Sequence, residues 1–547
     1  MYEPAPTIVE LLCRRIDADA PQPALAVKRG GQYEWLTWEQ LAAEVARLTA
    51  VLVELGVQRG DRVAQLSENR YEWILADFAI QMAGAIHVPI HAPLTGVQAA
   101  WQVRHSGAKT LFVSGPAQAA KLAAPAVEPL TDVACVAYEP CPPLWGRPIA
   151  LLAELQAAAN LDHGIDAACR TRKEITPQSL VTILYTSGTT GEPKGVMLTQ
   201  GNLASNCCAT IKAFGYHPNQ VRLNFLPLSH IFARTCDLYC WVTEGSRLAL
   251  AESRETVIAD CHAVKPTRLN GVPYFYDKVY RGLCEKGVQN LPGVLKATLG
   301  GAIETCCAGG AALPDHLYDY YHGQGVPLVQ GYGLSESSPV ITLSSDRQHR
   351  RGSCGRAIPG IEIRIAADGE IFTRGPHVMP GYYQNPAATA EVLHDGWLAT
   401  GDLGRLDDDG YLYITGRKKE ILVTSGGKNI APVFLESLLT EDPLIVQAMI
   451  VGDGRSYLGA LIVPNQELLA GELARQSSRD AEALLRERID QRLANVSHYE
   501  QVRKFVVLPR PFSIEAGELT PKLSLRRKEI AAHFATEIES LYSVTSG

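Results

Sequence analysis

The residues best equipped for chemistry in this chain lie together in Tyr185-Thr-Ser-Gly-Thr-Thr-Gly-Glu-Pro-Lys-Gly195. Gly188, Gly191 and Gly195 permit tight turns and close backbone approach. Thr186, Ser187, Thr189 and Thr190 offer hydroxyls, and Lys194 adds a positive charge. That is the chemistry needed to wrap a polyphosphate. Neither common nucleotide motif is present: GxxxxGK[ST] fails because Gly195 follows Lys194, and GxGxxG does not occur. A lone Ser/Thr/Gly loop reads more simply as a solvated linker. The run SLVTILYTS from Ser179 decides against that, because a short, β-branched apolar segment reads as a buried strand that delivers the loop to a cleft.

Other residues are candidates only in context. Tyr332, flanked by Gly331 and Gly333, reads as a loop aromatic rather than a core one. Gly309-Gly310-Ala311-Ala312 lacks bulky side chains and suits a wall that a ligand approaches closely, with a packed turn as the alternative. Asp402, taken alone, is a bland surface carboxylate. His230 with His262, Cys236 and Cys240 can be drawn as a metal site. CxxxC spacing without zinc-finger order favours instead a semi-buried helix carrying small thiols. The 13 cysteines form no CxxC, and an odd count argues for reduced thiols.

Layered elements must position these residues. LTWEQLAAEVARLTAVLVELG (36–56) has helical period, while 61–67 and 109–115 read as strands, so the first 170 residues alternate as in an α/β fold. Asp368-Gly369 and Asp409-Gly410, each between alternating apolar residues, signal hairpins. From Arg417 onward there are 17 Lys or Arg and 17 Asp or Glu, so the whole net charge of -7 belongs to the part before it. Three strand candidates (LIVQAMIVG, GALIVP, KFVVLP) and helices at 481–494 and 524–541 make that last part a small α+β unit. The expected architecture is α/β: a large domain, 1–416, of layered α/β subdomains plus a β-rich subdomain, then a small mobile α+β domain, 417–547. At 46% apolar and 20% charged, disordered or coiled-coil chains are excluded. A pI near 6.1 argues against nucleic acid as partner. No run reaches membrane-span length, and the acidic, proline-containing start is unlike a signal peptide. The expected location is the cytoplasm, with a peripheral membrane contact left open.

YTSGTTGEPKG resembles the phosphate loop of the AMP-forming acyl-CoA synthetase, adenylation-domain and luciferase superfamily. Leu226-Pro-Leu-Ser-His-Ile-Phe232, Gly309-Gly-Ala-Ala-Leu313, Gly331-Tyr-Gly-Leu-Ser-Glu336, Thr400-Gly-Asp402 and Gly416-Arg-Lys-Lys-Glu420 match in order. The stretches 414–432, 374–389, 272–280 and 517–527 resemble long-chain fatty acyl-CoA synthetases within it. The resemblance implies that a carboxylate attacks the α-phosphate of ATP, giving acyl-AMP and pyrophosphate, after which the thiol of CoA displaces AMP. It implies that Thr186 and Glu336 position Mg2+, that Tyr332 stacks on adenine, and that Ser335 bonds the α-phosphate. Asp402 and Arg417 would hold the ribose, and His230 would gate or position the reacting carboxylate. Residues 231–241 and 272–275 would wall the acyl pocket, with Tyr274 where many long-chain members have Arg. Lys419 would be the hinge, and Ser425, Gly426, Gly427 and Lys428 would line the pantetheine tunnel. A carrier-protein acceptor, a medium-chain or aryl acid, and a catalytically impaired binding homologue are the alternatives.

One position departs from the resemblance. Long-chain relatives read TPTxK, which places Ser524 at the catalytic lysine and Lys522 two residues earlier. Residues two apart in an extended segment share a side, so Lys522 is expected to substitute. Lys522→Ala should slow ATP-pyrophosphate exchange by about 10²- to 10³-fold, by analogy with loss of one oxyanion donor. Unchanged exchange would exclude that role.

Overall fold

The computed structural model of the protein describes residues 6–186, 193–475, 480–513, 515–519 and 525–543. Local sequence rules set its first layer. Thr37 caps the helix Trp38–Glu54, its hydroxyl accepting from the Gln40 amide while Gln40 returns the bond to the Thr37 amide. Leu41, Val45, Leu48 and Leu52 repeat at helical spacing and are buried. Trp38 stacks on Trp241 at 4.5 Å between centroids, joining this helix to one two hundred residues away.

Two large sheets carry most of the chain. Among the described residues, one runs Gly381–Tyr382, Lys194–Thr199, Leu180–Thr186, Ile86–His91, Arg62–Ser67, Thr110–Val113, Ala134–Ala137, Ala150–Leu151. The other runs from Arg356–Ala357 through Val340–Leu343, Leu328–Gly333, Thr305–Ala308, Arg268–Gly271, Val221–Asn224 and Arg247–Leu250 to Pro23–Arg29 and Gln32–Thr37. The central strands are parallel. Buried on both faces, they are near-continuous apolar runs such as Val181 to Leu184. One apolar cluster draws residues from both sheets, including Leu184, Val196, Leu223, Leu269 and Leu328.

A charged knot lies inside this core. Arg234, Asp77, His87 and Tyr239 are all buried. The Arg234 guanidinium pairs with Asp77 and donates to the Thr182 hydroxyl at 2.8 Å, and Tyr239 donates its hydroxyl to Asp77 at 2.8 Å. Burial pushes the Asp77 carboxyl up, but the adjoining Arg234 guanidinium and the hydrogen bonds bring it below its usual value. Burial, then Arg234, holds His87 neutral, its pKa down at about 4. The knot ties the helix Tyr71–Met82 to the strand Leu180–Thr186 and to the π-helical turn Arg234–Tyr239, which follows His230.

A smaller sheet supplies the β-rich part. Both expected hairpins form: Glu362–Ile365 pairs with Glu370–Arg374, and Trp397–Leu406 with Leu412–Arg417. Beyond it, Ile445–Val451, Leu458–Pro464 and Val502–Val507 make a three-stranded sheet with its own apolar clusters. The single helix expected over 524–541 is instead two, Arg527–His533 and Ala535–Tyr542. The backbone leaves helical geometry at Phe534, whose ring is buried against Phe512.

Arg234→Met should destabilise the protein by about 3–5 kcal/mol in urea unfolding, because Asp77 is left buried and unpaired. Replacing both, Arg234→Met with Asp77→Leu, should recover much of that loss. Equal losses in the single and double variants would contradict the assignment.

Candidate active site

The glycine-rich loop is fixed at its two ends. Tyr185 pairs with Gly195 and Thr186 with Lys194 across an antiparallel ladder, so the hydroxyl and the ammonium that open and close the loop share one rung. Ser187, Gly188, Thr189, Thr190 and Gly191 lie outside the described residues. The Lys194 ammonium stands 5.0 Å from the centroid of the Tyr382 ring. Tyr382 in turn donates its hydroxyl to Glu336 at 2.8 Å. Tyr382 therefore links the loop lysine to the carboxylate expected to hold a cation.

Glu336 sits in the single turn Ser335–Ser337 that follows the strand Leu328–Gly333. That turn needs Gly333, where an added Cβ would lie 1.6 Å from the Pro339 carbonyl oxygen. The strand is parallel to Thr305–Ala308 as far as Gln330, so Gly309 leaves the sheet beside Gly331, which continues in its strand paired with Leu343; carboxyl ends of parallel strands are where open α/β sheets bind ligands. Gln330 donates to the Ala311 carbonyl at 3.2 Å and holds the two exits together. At Gly309 a Cβ would meet the Phe232 ring at 2.8 Å, and the neighbouring Gly310 takes a left-handed φ of 80°.

Tyr332 lies in that strand, paired with Thr342, and not in the loop its flanking glycines suggest; it donates its hydroxyl to Asp402 at 2.8 Å, and Arg417 Nε lies 2.8 Å from the other carboxylate oxygen. Asp402 and Arg417 face each other in the register of their strands. Burial pushes the Asp402 carboxyl above its usual pKa, while Arg417 and the Tyr332 hydroxyl oppose the shift. The Arg417 side chain is 48% exposed and the Asp402 side chain only 6%, so the arginine can turn toward a ligand while the carboxylate stays in place.

The His230 ring lies 4.5 Å from that of His91, tilted by 47°, and the His91 Nδ1 is 2.9 Å from the Ser229 hydroxyl. Lys419 is exposed, in the turn Lys418–Glu420, beside Lys418, which pairs with Asp368 and Glu370 at 2.7 Å. Ser425, Gly426, Gly427 and Lys428 are exposed, and the Lys428 ammonium lies over Tyr499 at 5.4 Å. Lys522 and Ser524 lie outside the described residues, between Leu519 and Leu525, which pair with each other. Cys236 and Cys240 are buried in the helical segment after His230, and no group of three His, Cys, Asp or Glu converges on a metal position among the described residues. Sequence reasoning missed Tyr382 and His91. Tyr382 lies inside a stretch that carries the long-chain likeness, but nothing in it points to Glu336, 46 residues away.

Residues 15–383 match the family described as AMP-binding enzyme, and residues 419–546 match the AMP-binding enzyme C-terminal domain. The chain belongs to the AMP-binding enzyme family. Among its AMP-binding relatives, the long-chain-fatty-acid–CoA ligase FadD15 of Mycobacterium bovis is 35% identical, over 94% of this chain and 93% of that protein. The human long-chain-fatty-acid–CoA ligase ACSBG2 is 27% identical over 99% of this chain and 93% of its own. The solved anthranilate CoA ligase AuaEII, in complex with anthranoyl-AMP, superposes with a TM-score of 0.80 at 20% identity, covering 98% and 99% of the two chains. A fatty acyl CoA synthetase of Mycobacterium tuberculosis gives 0.69 at 21%, covering 97% and 98%. These structures share the fold of this AMP-binding enzyme, a large N-terminal domain followed by a smaller C-terminal one.

Tyr332→Phe removes a donor that favours ionised Asp402, so the carboxyl pKa should rise further. The acid limb of kcat/KM for ATP against pH should move to higher pH. An unmoved limb would separate Asp402 from nucleotide binding.

Proposed function

We propose that this enzyme activates a long-chain fatty acid with ATP, forming acyl-AMP and pyrophosphate, and then transfers the acyl group to CoA with release of AMP. The observation that carries this reading is a pair of contact groups joined by the strand Leu328–Gly333 and the turn after it, Tyr332 with Asp402 and Arg417, and Glu336 with Tyr382 and Lys194. Likeness to the FadD15 ligase over nearly the whole chain supports the choice of acid.

A carboxylic acid is already ionised at neutral pH, so the first step needs no general base. It needs alignment and charge stabilisation at phosphorus. In our reading Lys194 and the hydroxyls of the loop hold the β- and γ-phosphates, and Ser335 bonds the α-phosphate. Tyr332 lies against adenine, and Asp402 and Arg417 take the ribose hydroxyls. Gly309, Gly310 and Ala311 form the wall where nucleotide and acyl chain meet, and His230 positions the carboxylate. Lys522 supplies the cation of the first step.

In this reading Glu336 and Thr186 would hold a magnesium ion, a cation that takes one or two protein oxygens and completes its shell with phosphates and water rather than a full protein cage. Bound there, it would neutralise phosphate charge. The division falls at 416/417. The domain from Arg417 pivots near Lys419 so that Lys522 serves the first step and Ser425 to Lys428 the second. Among the described residues no helix is long and apolar enough to cross a membrane.

A panel of carboxylic acids from acetate to oleate, scored by CoA-dependent AMP release, should peak among the longer aliphatic acids. A best substrate that is aromatic would overturn the fatty-acid reading, and AMP release without dependence on CoA would overturn the acceptor.

A further inference from the structure

A buried cation with unused donors lies along the wall assigned to the acyl chain. Arg222 and Arg268 are neighbours across parallel strands, and with Asn224 and Asn270, two residues on, they face the same side of the sheet. That side is covered by the helix Gln200–Phe214 and the π-helical turn Arg234–Tyr239. The cover is shown by Arg222 donating to the Cys236 carbonyl at 3.0 Å, by both asparagines donating to Asp237 at 2.8 and 2.6 Å, and by the Arg268 guanidinium lying 3.8 Å from the Phe214 ring centroid.

Two guanidiniums, Arg222 and Arg268, share this layer with two carboxylates, Glu244 and Asp237, but among the described residues only Arg222 is hydrogen-bonded to one of them. Arg222 is paired with Glu244 at 2.6 Å. Asp237 is met by two neutral amides, and burial lifts its pKa to about 6. Arg268 is 4% exposed, and its Nε and Nη2 have no hydrogen-bond partner among the described residues. Burial and the like charge of Arg222 bring its pKa down to about 10, so it remains charged at neutral pH. A guanidinium in this setting calls for an oxygen acceptor.

The layer is continuous with the reacting end. The Gly309 wall abuts Phe232. Phe232 and Leu343 pack against one cluster, Cys236, Val340 and Ile358, and Leu343 packs as well against Phe214, Cys307 and Val329, of which Phe214 lies under the Arg268 guanidinium. Gly271, level with Ala308 at the strand exit, is three residues from Arg268, about 10 Å at roughly 3.3 Å per residue.

We propose that Arg268 is the distal contact of the acyl pocket and selects acids whose far end carries an oxygen acceptor, a second carboxylate or a hydroxyl. The proposal rests on the ligase reading above and narrows its substrate class to aliphatic acids with two polar ends. One charge-assisted hydrogen bond, against an unpaired guanidinium, favours such an acid over its plain analogue by about ten- to hundredfold.

The test is CoA-dependent AMP release by the purified full chain with suberic, sebacic and dodecanedioic acids, their ω-hydroxy counterparts, and the plain monoacids of equal length. Wild type should show higher kcat/KM for the ω-polar acids at one chain length. Arg268→Leu should bring that ratio to about one or invert it, and Arg268→Lys should leave a reduced preference. If Arg268→Leu does not fold, the wild-type ratio decides alone. Stronger diacids than hydroxy acids would identify the carboxylate as the partner, and the reverse order the hydroxyl. AMP release with monoacids that equals or exceeds that with every ω-polar acid would overturn the proposal and leave the ligase reading standing. No AMP release with any acid would overturn both.

Discussion

A single buried carboxylate holds the site together. Asp402 accepts from Tyr332 on one sheet and pairs with Arg417 at the last residue of the hairpin on another. Burial opposes its ionisation, and the hydroxyl and the guanidinium restore it. The triad therefore does two jobs. It locks the β-rich hairpin against the strand Leu328–Gly333, and it ends at Arg417, two residues before the match to the C-terminal domain begins.

Electrostatics around this point run against the protein's overall charge. The part before Arg417 carries the whole -7, yet it has to accept a polyphosphate. Local arrangement answers this. Lys418 engages Asp368 and Glu370 at 2.7 Å, and Lys194 stands over the aromatic face of Tyr382, with no ion pair to a carboxylate among the described residues. Deeper in the core the opposite rule holds, with cations such as Arg222 and Arg234 paired to carboxylates. Arg268 breaks that rule, which is why it bears on substrate choice.

Much of the fold was legible because it follows from local chemistry. The capped helix at 38–54, the strand that launches the loop, and both Asp-Gly hairpins follow from periodicity and turn residues alone. The resemblance to the superfamily's motifs points to Tyr332, Glu336, Asp402 and Arg417, and the structure brings Tyr332, Asp402 and Arg417 into contact. What the sequence hides are pairings between distant positions. Arg234 meets Asp77 from 157 residues away, and Tyr382 meets Glu336 from 46. No local pattern marks either. The break at Phe534 was hidden for the same reason, since burial against Phe512 overrides the helical period.

Measuring the two half-reactions separately in Asp402→Ala tests the account most directly. Acyl-AMP formation is followed without CoA, and acyl transfer is followed from supplied acyl-AMP with CoA. One carboxylate holding the nucleotide through both steps predicts that both rates fall by a similar factor at subsaturating nucleotide or acyl-AMP. A variant that loses one half-reaction and keeps the other would contradict the claim that a single site, organised around Asp402, performs both.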